Sequence, residues 1–350
     1  MIILESIDML AEDLKEIVIR LIPELESIND VIIESLTGGG NNRIFKISTA
    51  TGKYIIKHYF RCREDRRNRL ESEFLFTSFA WSHGIRCIAE PIAEDHALSV
   101  GIYRFIEGRK YRRGDIGHEE ISRASHFLME VNQYKSSHDA IGLPIASEAC
   151  FSIEDHIMLV DLRIERLKAI EVGDDVDNEA IGFVSKELAV VWSDIKAAII
   201  SKAGMNNTAF TERISPEDTI ISPSDFGFHN AILGNDGLIR FVDFEYAGWD
   251  DPAKTVGDFF SQVAVPVPRD YFEKFVENVL LCLTNSEEAL FRIKLLLPLY
   301  RIKWCCIVLN HFLRMEKERK LFAVRDAMGM RYEQLNKARM LLSSINEMKL

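Results

Sequence analysis

The sequence predicts an α+β chain in two lobes, a small antiparallel sheet with one main helix followed by a larger and mostly helical lobe. Three observations predict it. At 350 residues the chain is too long for one small domain. Its texture changes near residue 105, with strand patterns before that point and helix patterns after it. The helical half is interrupted once, between about 219 and 246, by the short β-like runs TIIS, NAIL and IRFVDF. The expected lobes are therefore 1–105 and 106–350.

Residues 4–20 place apolar side chains at helical spacing, and VIIESL, RIFKIST and KYIIKHYF then read as three strands. A tight turn at ATGK joins the last two. LESEFLFTSFAWSHG reads as a helix ended by Gly84, and ALSVGIYRFIEG adds further strand pattern. From about residue 115, ISRASHFLMEVNQY, SIEDHIMLVDLRIERLKAI, AIGFVSKELAVVWSDIKAAII, YFEKFVENVLLCL and the stretch 288–315 are amphipathic helices. The acidic DVDNE stretch within 173–179 reads as a polar linker between two of them.

A hydrophobic fraction of 47% and a charged fraction of 28%, without excess Pro or Gly, describe an ordinary globular chain and exclude disorder. The most apolar stretch, LFRIKLLLPLYRIKWCCIVL, is broken by Arg292, Lys294, Pro298, Arg301 and Lys303, so no membrane span is expected. Acids near the N-terminus stand where a secretory signal carries basic residues, and a cytoplasmic location is expected. The net charge of −11 argues against a nucleic-acid partner. Cys62, Cys87, Cys150, Cys282, Cys305 and Cys306 show no metal-ligand spacing and read as buried free thiols. The basic run Arg61, Arg63, Arg66, Arg67 and Arg69 reads as a solvated loop and helix face.

The chemistry is concentrated in the interruption. PSDFGFHN places Asn230 five residues after Asp225, and VDFE places Asp243 at the end of the next hairpin. Each alone reads equally well as a turn or cap residue. Together they put two carboxylates and an amide oxygen around one point, which suits phosphoryl transfer: Asp225 receives a hydroxyl proton while Asn230 and Asp243 hold magnesium. The early sheet supplies a second set. Gly38, Gly39 and Gly40 lie between two strands and let the backbone approach a nucleotide, Lys57 ends the YIIK strand, and Glu73 follows sixteen residues later on the helix. Glu71 is the competing partner for Lys57.

These motifs resemble the aminoglycoside phosphotransferase and choline kinase family, which has a protein-kinase-like fold, over most of the chain. GGGNNRIFKI, with Asn42, is similar to its first element, YIIK to its lysine strand, and Glu73 before Gly84 to its helix acid. YRFIEG resembles its hinge, implying that backbone groups of Arg104, Phe105 and Ile106 meet adenine. PSDFGFHN resembles H-G-D-x-x-x-x-N, and VDFE followed by DDP resembles the metal-binding segment. Pro223 and Ser224 stand where the family carries His and Gly. The resemblance implies an enzyme that uses ATP or GTP with Mg2+ to phosphorylate a hydroxyl of a small molecule, an amino alcohol, sugar or aminoglycoside-like compound. Only fourteen residues separate Asp243 from Asp258, which disfavours a protein acceptor. Glu245, Asp251, Tyr300, Arg301 and Trp304 are the acceptor-site candidates, with Lys303, Asn310 and His311 nearby, and Asp258 is expected to be structural. A nucleotide-binding pseudokinase, motivated by the missing His, and a kinase acting on a protein or glycated amine are the alternatives.

Overall fold

The computed structural model describes residues 11–22, 31–36, 42–61, 67–206, 208–313 and 328–346. Helix α1 (Ala11–Leu21) precedes strands β1 (Ile32–Leu36), β2 (Asn42–Ser48) and β3 (Lys53–Tyr59). Helix α2 (Arg69–Ser82) and strands β4 (Pro91–Asp95) and β5 (Val100–Arg104) follow. The five strands form one antiparallel sheet in the order β1-β2-β3-β5-β4. Alternation of side chains along a strand decides what each face does. Ile47, Tyr54, Ile56, Val100 and Ile102 point to one face and bury against Leu14, Ile17 and Val18 of α1. On β3 the intervening residues point the other way, and Lys57 and Tyr59 thereby meet Glu73 of α2.

The chain then crosses through β6 (Gly108–Lys110) into α3 (His118–Gln133), α4 (Ile153–Leu167), α5 (Asp175–Phe183) and α6 (Ala189–Met205). Strands β7 (Ile220–Ser222), β8 (Ala231–Gly234), β9 (Ile239–Phe241) and β10 (Gly248–Asp250) come next. Helices α7 (Pro252–Ser261), α8 (Phe272–Leu280), α9 (Ser286–Leu309) and α10 (Met328–Asn346) complete the order. β6, β8 and β9 make a three-stranded sheet, and β7 pairs with β10. Helix α9 is buried on nearly every side, and Pro298 lies in its interior. A proline there forfeits one ladder hydrogen bond, a loss that the surrounding packing offsets. The core beneath the short strands is a ladder of rings in which Phe127 stacks on Phe241, Phe226 on Phe259, and Phe259 on Phe275. Burial of each such ring contributes about 1.5–3 kcal/mol.

Three sequence expectations change. The 173–179 stretch is not a linker: Asp174 caps α5, and Arg331 of α10 reaches Asp174 and Asp177 at 2.5 and 2.7 Å. The helix expected over 180–200 is divided by a π turn, Val184–Leu188, between α5 and α6. Arg69 is buried over the Tyr246 ring and leaves the solvated face expected of it, while Arg67, over the same ring, stays exposed as expected. Cys150, Cys305 and Cys306 are buried free thiols, while Cys87 and Cys282 are partly exposed. Cys62 lies outside the described residues. Among the described residues no helix is long and apolar enough to cross a membrane.

Candidate active site

The loop between β7 and β8 carries Asp225. Ser224 holds a left-handed φ of 64°, where the resembling motif has Gly. Its neighbours hold it there. Ser222 Oγ accepts the Ser224 N–H at 3.0 Å and sits 2.7 Å from Thr255 Oγ1, while buried Lys254 reaches Ser224 Oγ at 3.3 Å and Asp250 at 2.6 Å. From α3, Asn132 accepts the Ile221 N–H at 2.9 Å and donates to the Ile221 carbonyl at 3.1 Å. After the turn, Asn230 Nδ2 donates to the Asp225 carbonyl at 2.9 Å and to its carboxylate at 3.3 Å. His229 Nε2 lies 3.1 Å from the other carboxylate oxygen. Partial burial pushes the Asp225 carboxyl up, but the His229 contact, the Lys303 charge and the Asn230 amide outweigh it and hold it below the ordinary range.

Lys57 ties the two parts of the chain. Its ammonium donates to both Glu73 oxygens at 2.7 and 2.9 Å and to Asp243 Oδ1 at 2.8 Å. Burial works against its charge, yet the Asp243 and Glu73 carboxylates more than reverse that and raise its pKa. Burial pushes the Glu73 carboxyl up against the pull of Lys57, and Tyr59 donates to it at 2.7 Å. Glu71, the competing choice, is engaged with Asn68 at the start of α2. Asp243 has a φ of 72°, a second non-glycine residue in the left-handed region. Such backbone persists where its surroundings over-determine it, commonly at functional sites.

The Val242 N–H bonds the Asn230 carbonyl at 2.9 Å, which sets Asn230 beside Asp243. With Asn230 Nδ2 spent on Asp225 and Asp243 Oδ1 on Lys57, the other oxygen of each side chain is left for a ligand. Two hard oxygens fit magnesium, which completes its shell with phosphate oxygens and water. Among the described residues there is no cluster of three or more His, Cys, Asp or Glu side chains suited to a metal.

The glycine loop, Gly38–Gly40, lies outside the described residues. Asn42, just beyond it, donates to Glu245 at 2.7 Å, so Glu245 sits under the start of β2 and away from the other acceptor candidates. In the hinge the Arg104 N–H is bonded to Glu90 and the Phe105 N–H to Lys53. Both N–H groups are therefore spent as donors within the fold. The hinge residues line a cavity of about 410 Å3 with Trp81, Ile88 and Asn235.

The acceptor candidates separate. Asp251 is buried, capping Ala253 at 2.7 Å and bonding His156 at 3.0 Å and Arg292, while Tyr300 bonds the far side of His156 at 2.5 Å. Arg301 turns to Ser344 of α10 at 3.1 Å. Asp251 and Tyr300 serve packing between helices, their polar groups satisfied inside the fold, while Arg301 is tied to α10 and keeps a buried Nε without a partner among the described residues. Trp304 does approach the loop, its ring edge-on to His229 at 6.2 Å, with its N–H on Asp258 at 2.9 Å. Lys303 also bonds Asp258, at 2.7 and 2.9 Å, so Asp258 is a buried tie to α9 as expected. A cavity of about 520 Å3 lies between α4 and the loop before it, lined by Glu148, Cys150, Asp155, Met158, Leu162 and Arg163.

Sequence reasoning passed over His229, Lys254 and Glu148. His229 carried a signal, a titratable side chain four residues after Asp225. The other two had none, since their roles come from tertiary contacts.

No family model and no curated protein matches the chain. Solved structures do. A spectinomycin phosphotransferase in complex with ADP and spectinomycin superposes with a TM-score of 0.62 at 12% identity, covering 97% of this chain and 100% of that one. The Plasmodium vivax ethanolamine kinase gives 0.59 at 16%, covering 95% and 89%. The choline kinase LicA from Streptococcus pneumoniae gives 0.57 at 15%, covering 95% and 98%. With its five-stranded N-terminal sheet and helical C-terminal part, the chain has the protein-kinase-like fold of the aminoglycoside phosphotransferases and choline/ethanolamine kinases.

Proposed function

We propose that the protein transfers the γ-phosphoryl group of ATP or GTP to a hydroxyl of a small molecule. The observation that carries this reading is the joining of Lys57, Glu73 and Asp243 by contacts of 2.7–2.9 Å, with Asn230 and Asp225 on the adjoining loop. In this reading the nucleotide lies between lobes 1–105 and 106–350, under Gly38–Gly40 and Asn42, with the Ile106 N–H toward adenine. Lys57, held by Glu73, turns from Asp243 to the phosphates. Asn230 and Asp243 would hold magnesium, which supplies positive charge against the phosphate oxygens. Asp225 orients the acceptor hydroxyl and takes its proton, and positioning with charge neutralisation carries the rate.

The acceptor enters from the cavity beside α4, with Trp304 near the reacting end. The Trp304 ring against His229 supports the second of these placements. The ADP and spectinomycin in the phosphotransferase structure support a nucleotide donor and a small acceptor. A net charge of −11 stands against a nucleic-acid partner. The missing His favours a nucleotide-binding pseudokinase as second reading, against which stands the brace of Ser222, Lys254 and Thr255 around the loop.

The test is magnesium-dependent ATP turnover with a panel of choline, ethanolamine, amino sugars, sugar alcohols, homoserine and aminoglycosides. Acceptor-stimulated turnover is expected, abolished in Asp225→Asn with nucleotide binding retained, whereas Asp243→Asn loses both. Nucleotide binding without turnover across the panel supports the pseudokinase. Equal loss of binding in the two variants refutes the division of roles.

A further inference from the structure

His229 stands one residue before Asn230, on the single 3-10 turn Phe228–Asn230. Its side chain is 16% exposed and is confined from several directions. Trp304 meets the ring edge-on, itself fixed by Asp258. Gly227 closes the Nδ1 side: a Cβ at that position would stand 2.8 Å from Nδ1 and 2.9 Å from Cε1, so only a glycine admits the ring. The Gly227 backbone is extended, and its need for glycine is therefore one of space.

The two ring nitrogens differ in surroundings. Nδ1 is buried and has no hydrogen-bond partner, while Nε2 faces the Asp225 carboxylate at 3.1 Å. A hydrogen on Nδ1 would be a buried donor without an acceptor, costing about 1–3 kcal/mol. A hydrogen on Nε2 meets a carboxylate, the stronger kind of bond. The surroundings thus select the Nε2–H tautomer. Asp225 is then gripped at both oxygens, by His229 on Oδ1 and by Asn230 on Oδ2. Two donors on opposite oxygens fix the plane of a carboxylate that is otherwise 38% exposed on a loop.

We propose that His229 is a positioning residue, whose Nε2–H bond orients the Asp225 carboxylate toward the acceptor hydroxyl. This rests on the phosphotransfer reading above. The loop keeps its conformation through Ser222, Ser224 and Lys254, so His229 acts on the direction of the carboxylate rather than on the path of the backbone. Its neighbour Asn230 divides its amide between the same carboxylate and the metal side.

Two measurements on the full chain test it. Long-range proton–nitrogen NMR of the histidine-labelled protein, in mildly alkaline buffer and assigned by loss of one signal in His229→Gln, reads the tautomer directly. The Nε2–H form is expected in the wild type, with the Nε2 and Nε2–H signals shifted in Asp225→Ala as the bond to the carboxylate is lost. The Nδ1–H form in the wild type, or Nε2 signals indifferent to Asp225→Ala, overturns the proposal without touching the proposed activity. The second measurement is turnover of ATP with the acceptor panel in His229→Leu, which removes the donor, and His229→Gln, whose amide places a donor near the Nε2 position. Loss of a bond to a charged group predicts a fall in kcat of roughly 10- to 100-fold in His229→Leu. The KM for ATP should stay unchanged, and His229→Gln should recover most of the rate. Equal impairment of the two variants, or a change confined to KM, overturns the positioning role. A wild type that shows the expected tautomer yet turns over nothing overturns the phosphotransfer reading, and the positioning role with it.

Discussion

Replacing Asp251 by Ala decides between two uses of that carboxylate. The sequence admits it as an acceptor contact, whereas the structure gives it three internal partners, the Ala253 N–H, His156 and Arg292. Loss of the α7 cap costs about 1 kcal/mol. Leaving Arg292 buried without its carboxylate costs about 3–5 kcal/mol, since removal of one partner strands the other charge. The two losses share one group and do not add fully, so about 4 kcal/mol is expected, or roughly 5 °C in Tm for a chain of this size. Thermal melting by near-UV circular dichroism, with urea titration beside it, measures this. Burial opposes the Asp251 charge, but Arg292 and His156 outweigh it and hold the pKa well below the ordinary range. A depressed carboxylate stabilises the fold above its unfolded pKa and loses that contribution as pH falls, so the gap between wild type and variant should narrow on acidification. A Tm shift below about 1 °C, which by the same scaling is under about 1 kcal/mol, together with an altered acceptor KM would refute the structural role.

Lys57→Met should weaken nucleotide binding about tenfold or more by calorimetry, since phosphate oxygens lose their fixed cation; an unchanged Kd would refute its assignment. Arg163→Met removes the nearest of the charges, with Lys303 and Lys254 behind it, that against the effect of burial bring the Glu148 carboxyl down to about 2. That contribution is present above the ordinary carboxylate pKa and lost as pH falls toward 2; discounted for the partial exposure of Glu148, it is about 1–2 kcal/mol. Urea titrations at about pH 7 and about pH 3 should show the gap closing, and a constant gap would count against the pair. Gly257→Ala sets a Cβ 2.2 Å from the Tyr300 ring, forcing α7 from α9. A loss of about 1–3 kcal/mol is expected in melting, and an unaltered Tm would show that the helices yield freely.

What the sequence made legible was local. Alternation along YIIK put Lys57 on the face opposite Ile56, and helical spacing put Glu73 where it meets that lysine. The five-residue step from Asp225 to Asn230 likewise needs only a short turn. The acceptor candidates depended on how α4, α7 and α9 pack, which spacing does not encode. Tyr300 and Trp304 look alike in the sequence, yet one reaches His156 in the core and the other His229 on the Asp225 loop. The acidic 173–179 stretch resembled a linker because its partner, Arg331, lies far along the chain.

The short strand β6 gives the hinge an asymmetry. Gly108 lies so close to the neighbouring strand that a Cβ there would stand 2.2 Å from the Leu233 carbonyl. β6 pairs with β8, which begins directly after Asn230. One end of the hinge is thereby clamped to the sheet that carries the catalytic hairpin, while the other continues into β5. The N-terminal sheet joins that clamped frame through Arg104–Glu107, but α2 rests on the frame itself, its Phe76 ring against Phe127 and Phe244. Lys57 therefore reaches from the sheet to two carboxylates, Glu73 and Asp243, that stand on the side of the frame.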